Sequence, residues 1–158
     1  MCLYRHLIKG GDKYTWKTSF ANNLGRLTQG VGNQIEGTNI INFRQKSVVP
    51  RNKKVTYGRL VCDIKEQKTE TCWTRITVGG NLLDFPGLLS TPMATITTSK
   101  CLFNSVISTP GAKCLIADVK NFYLNNDLPE PEYMKLNIHV IPQKIIDGYA
   151  LHKLVDDN

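Results

Sequence analysis

A short apolar run, Cys114-Leu115-Ile116, is entered from the turn Thr109-Pro110-Gly111 and ends a few residues later on one carboxylate, Asp118. A brief apolar stretch bounded by a turn signal has the pattern of a buried strand, here residues 114–119. A carboxylate at the end of such a strand is costly unless something compensates its charge. Asp118 is therefore a structurally paired or turn-capping residue, or it is a metal ligand.

The remaining chain alternates helical and extended patterns. Trp16, Phe20, Leu24 and Leu27 recur at helical spacing between Thr15, a possible cap, and Gly30-Val31-Gly32, which predicts an amphipathic helix over 15–29. Ile40-Ile41-Asn42-Phe43 is a short strand candidate, and Val49-Pro50 leads into the basic turn Arg51-Asn52-Lys53-Lys54. Tyr57 to Lys65 and Cys72 to Val78 are extended segments on either side of the polar stretch Glu66–Glu70, the pattern of a hairpin closed by Gly79-Gly80. Ser90-Thr91-Pro92 is a helix start signal, with Thr91 as cap, and the helix should stop before Pro110. Met134, Leu136, Ile138 and Val140 alternate with polar residues as in a half-buried strand, and a short helix is expected from Gln143.

At 158 residues the chain fits one domain of α+β type with a real core. Twenty Lys and Arg against 13 Asp and Glu leave +7, a balance suited to meeting phosphates. The five cysteines have no Cys-x-x-Cys spacing, which speaks against a disulfide framework or a zinc site and for a reducing compartment. His6, His139 and His152 share no ligand spacing. With no apolar run near the roughly 18 residues of a membrane span, the expectation is a soluble protein that is not secreted and meets no membrane.

The stretch Asp118-Val119-Lys120-Asn121-Phe122-Tyr123-Leu124-Asn125-Asn126 resembles the first catalytic box of copia-type retrotransposon reverse transcriptases, with Tyr133-Met134 at the family's usual place. The similarity extends upstream, where Arg75-Ile76-Thr77-Val78-Gly79 resembles the family's Arg-Leu-Val-Ala-Lys-Gly and Asp84-Phe85-Pro86-Gly87 its Asp-Tyr-Glu-Glu. Departures include the Gly79-Gly80 pair, Pro86-Gly87 in place of charges, and Phe122 in place of a small residue. A Gly-rich box and a Tyr-x-Asp-Asp hairpin are absent, and the tail Asp156-Asp157 is expected to be solvent-facing.

The resemblance implies the fingers and partial palm of a right-hand polymerase, truncated before the second and third boxes. Residues 1–14 would form an N-terminal extension and 15–158 a partial domain, with the fingers hairpin at about 57–78 and the palm starting at about 90. The implied activity is RNA-directed DNA polymerisation with two divalent ions, Mg2+ or Mn2+, none firmly held by a fragment that is expected to be inactive alone. Asp118 would be catalytic and a metal ligand, and Val119 would offer its carbonyl to the metal. Tyr123, Arg75 and Lys65 would bind the deoxynucleoside triphosphate, while Arg51, Lys53 and Lys54 would meet template phosphates. Partners would be an RNA or DNA template-primer and the rest of the polymerase polyprotein, in the cytoplasm, the nucleus or element particles. The alternatives are a non-catalytic basic nucleic-acid-binding module, or a relic without function.

Overall fold

The segments flanking Glu66–Glu70 pair as a hairpin in the computed structural model of the chain, which describes residues 4–33, 35–83, 93–118, 124, 128 and 130–155. Strand β1 (Val55–Ile64) runs antiparallel to β2 (Cys72–Val78), in register from Gly58 opposite Val78 to Ile64 opposite Cys72. A third strand, β3 (Tyr133–Lys135), joins the other side of β1 in parallel, with Val55 opposite Tyr133 and Tyr57 opposite Lys135, so the sheet order is β2-β1-β3. The architecture is mixed α+β with a small sheet. The chain divides into two compact units, residues 1–83 with 127–158, and residues 84–126.

In the first unit, period-two alternation turns Leu60, Cys62, Cys72 and Ile76 toward one face, where they pack on the core. Covering that face is α2 (Lys13–Leu27), whose Trp16, Phe20 and Leu24 stripe is buried as its spacing requires. Tyr4, from the short α1 (Tyr4–Leu7), meets Phe20 edge-on at 5.2 Å between ring centroids, so residues before 14 also feed the core. Ile141, Leu151 and Ile145, the last from α4 (Gln143–Gly148), complete it. One polar seam joins helix and sheet. The Thr74 amide donates to Ser19 Oγ at 2.9 Å, and the Ser19 hydroxyl donates to Thr74 Oγ1 at 3.2 Å.

Several sequence expectations need correction. Helix α2 begins at Lys13, with Asp12 at the cap position, which puts Thr15 inside the first turn. Ile40–Phe43 is not a strand, because its neighbourhood answers the open C-terminal carbonyls of α2 instead. Thr38 N–H donates to Arg26 O at 2.8 Å, Asn39 N–H to Thr28 O at 2.9 Å, and the Ile40 and Ile41 amides to Leu27 O at 3.0 and 2.8 Å. The expected strand through Val140 stops at Lys135; Asn137 then accepts the His139 amide at 2.9 Å and winds Ile138–Val140 into a 3-10 turn.

The second unit holds α3 (Ile96–Ser108), which ends ahead of Pro110 as expected. Its cap is Thr95, whose hydroxyl accepts the Thr98 amide at 3.1 Å, and residues 93–95 are not helical. The start signal expected at 90–92 lies outside the described residues. The buried strand expected over 114–119 is also absent among the described residues 114–118, which are irregular and exposed, with Leu115 at 89% and Ile116 at 82%. All three strands of the sheet belong to the first unit, and the run at 114–116 has no ladder partner among the described residues. No helix among the described residues is long and apolar enough to cross a membrane.

Candidate functional site

The face of the sheet away from α2 carries the odd-numbered residues of β1 and β2. By register these are Tyr57, Arg59, Val61 and Asp63 on β1 and Trp73, Arg75 and Thr77 on β2, with Lys135 beside Tyr57 on β3. Lys65 stands one residue past β1, and its amide donates to Thr71 O at 2.8 Å, which holds the strand end in line with β2. Its side chain turns onto the same face. The Lys65 Nζ lies 3.6 Å from the centroid of the Trp73 ring, and the Arg75 Cζ lies 4.5 Å from the same centroid. One indole therefore gathers two cations, each attraction contributing about 0.5–1 kcal/mol at a site of this exposure. The cross-strand neighbour of Trp73 is Asp63, whose carboxylate accepts the Ile64 amide at 3.0 Å.

Lys65 and Arg75, chosen from sequence as triphosphate residues, are thus brought together, with the qualification that Lys65 follows the strand rather than lying in it. Trp73 is the residue that sequence reasoning missed. Its signal was available: once the hairpin is aligned about Glu66–Glu70, residues 73 and 75 fall on one face and 65 at its end. Two clustered cations are suited to a ligand with several negative oxygens, the guanidinium gripping as a planar fork and the ammonium acting as a point charge.

The basic turn behaves differently. Arg51 and Lys54 lie at the surface, and the Lys53 ammonium is ion-paired with the Glu130 carboxylate. That hydrogen bond raises the pKa of Lys53 and lowers that of Glu130. A template phosphate would have to compete with Glu130 for this lysine.

Asp118 belongs to the second unit and is exposed in an irregular segment. Val119 and Tyr123 lie outside the described residues. Among the described residues, no group of three or more His, Cys, Asp or Glu side chains is placed to hold a metal ion. No disulfide joins the described cysteines. Comparison with known proteins brings out no matching family model, no matching curated protein and no matching solved structure.

Proposed function

We propose that the chain is a fingers and early-palm portion of a copia-type reverse transcriptase, in which the β1–β2 hairpin grips the triphosphate of an incoming deoxynucleotide. The observation that carries this reading is the convergence of Lys65 and Arg75 on the Trp73 ring. The box beginning at Asp118 supports the same ancestry. In the whole enzyme the reaction would be template-directed nucleotidyl transfer with Mg2+ or Mn2+. The chain alone supplies one candidate carboxylate and is inactive in this reading.

The test is equilibrium binding of a deoxynucleoside triphosphate, alongside primer extension on an RNA template. Binding should be weak, and Lys65→Ala with Arg75→Ala should remove most of it. Extension should be absent for the chain alone and should appear, dependent on Asp118, when a polypeptide bearing the Tyr-x-Asp-Asp hairpin is added. Nucleotide binding that the double variant leaves unchanged would overturn the grip.

A second reading, a non-catalytic nucleic-acid-binding module, is favoured by the company the grip keeps: Arg59 and Lys135 lie on the same sheet face, with Tyr57 between them. Binding of this kind shows a slope of log K against log salt of about −0.7 to −0.9 per phosphate contact and no dependence on nucleotide.

A further inference from the structure

Trp73 meets two cations whose backbone positions lie to either side of it along the hairpin. Lys65 lies on the turn side of the Asp63–Trp73 pair and Arg75 on the far side, at 3.6 and 4.5 Å from the ring centroid. We propose that Trp73 is the positioning residue of the anion grip: its indole fixes the Lys65 ammonium and the Arg75 guanidinium in place before a triphosphate arrives. This rests on the reading of Lys65 and Arg75 as triphosphate ligands.

The physical need is plain. Lysine and arginine are the side chains with the most rotamer freedom to lose, and a ligand that must order both pays for it in affinity. A ring that holds both cations in the free protein removes most of that cost from the binding step. It does so without occupying the donors that matter. A guanidinium over an aromatic face keeps its in-plane N–H groups directed outward, and an ammonium resting on a ring retains N–H groups for an oxygen ligand. The acidic group nearest by register, Asp63, has one carboxylate oxygen engaged by the Ile64 amide.

A purely structural role, in which Trp73 only packs the hairpin, predicts different behaviour. The experiment uses the full chain, inorganic tripolyphosphate as probe, and the variants Trp73→Leu, Trp73→Phe, Lys65→Ala and Arg75→Ala. Affinity is read by calorimetry and side-chain environment by NMR. In the wild type, the Lys65 ε-methylene and Arg75 δ-methylene protons should be shifted by the ring current, and the Trp73 indole N–H should move saturably during titration. Trp73→Leu should weaken binding on the order of tenfold, the cost of ordering two long side chains at the moment of binding. Trp73→Phe, which keeps an aromatic face, should stay within about threefold of wild type. Both variants should unfold within a few degrees of wild type.

Unchanged affinity in Trp73→Leu, while Arg75→Ala weakens binding, overturns the positioning role and leaves the grip standing. Absence of ring-current shifts in the wild type overturns the role too, even where Trp73→Leu proves unable to fold. Wild-type protein that does not bind tripolyphosphate, or binding indifferent to both Lys65→Ala and Arg75→Ala, sinks the grip and this inference together.

Discussion

The Tyr4 hydroxyl is buried with no hydrogen-bond partner among the described residues, although the ring it belongs to packs against Phe20. Burial first, and the nearby Cys62 thiol second, push this phenol far above its ordinary range. Because the folded-state value is raised, the associated stability is fully present below the unfolded value near 10 and is lost as pH climbs through the folded one. Tyr4→Phe should therefore resist alkaline unfolding better than wild type, and at neutral pH be as stable or up to about 1 kcal/mol more so, since it removes an unpaired polar group. Urea denaturation at pH 7 and pH 11 checks both; a variant destabilised at pH 7 would mean the hydroxyl has a partner. Gly37 makes the opposite case, where a single added methyl is the damage. A Cβ there would lie 2.1 Å from Thr28 O and 2.3 Å from Gly30 N, both backbone atoms that cannot swing aside. Gly37→Ala should cost at least about 2 kcal/mol, seen as a lower denaturation midpoint at unchanged slope. Neither residue announced itself in the sequence. Tyr4 fell in a segment expected to be an extension, and the tight approach at Gly37 exists only because 38–41 return to the end of α2.

The turn of the hairpin is tied to the neighbouring helix by Glu70, whose Oε1 accepts from Arg26 at 2.7 Å and from Asn22 at 3.0 Å. The Arg26 hydrogen bond, opposed by burial and aided by Asn22, holds the Glu70 carboxyl below its usual range. The depressed value means that this stabilisation is present above the ordinary glutamate value near 4.3 and fades as pH falls through the folded one. Both partners are partly exposed, so the contribution is well under about 1 kcal/mol. Glu70→Gln should flatten the fall in stability between pH 5 and pH 3, measured by chemical denaturation; an unchanged pH profile would show that the pair contributes nothing. At this scale much was legible. The hairpin, the α2 stripe and the short C-terminal helix followed from periodicity and turn residues, which are local signals. What escaped was decided by partners distant in the chain. Ile40–Phe43 looks like a strand until the carbonyls at the end of α2 claim its neighbourhood, and Leu115-Ile116 looks like one although no ladder among the described residues receives it. For the candidate site, Lys65 and Arg75 were singled out by resemblance, but their meeting at Trp73 needed the register.

Across the whole molecule, apolar burial is unevenly distributed. Among the described residues, the buried hydrophobic cluster lies in the first unit, whereas in the second the α3 residues Ile96, Leu102, Phe103 and Ile107 are exposed. A helix of 13 residues whose apolar side chains are this exposed is marginal in water. Amides of α3 should exchange with solvent orders of magnitude faster than those of α2 and β1, measured by hydrogen exchange with mass spectrometry. Comparable protection in α3 and α2 would show that the helix is covered in solution. The pairing of β3 with β1 has a temporal consequence as well. Val55 finds Tyr133 only after about half the chain lies between them, whereas Ile64 meets Cys72 across one short turn. The hairpin and α2 are therefore free to assemble on the ribosome while one edge of β1 still waits for a strand not yet synthesised. Met134→Ala should accordingly hasten unfolding and leave the refolding rate nearly untouched, because the last strand to arrive is absent when the barrier is crossed. Refolding slowed in proportion to the lost stability would place β3 in the nucleus instead.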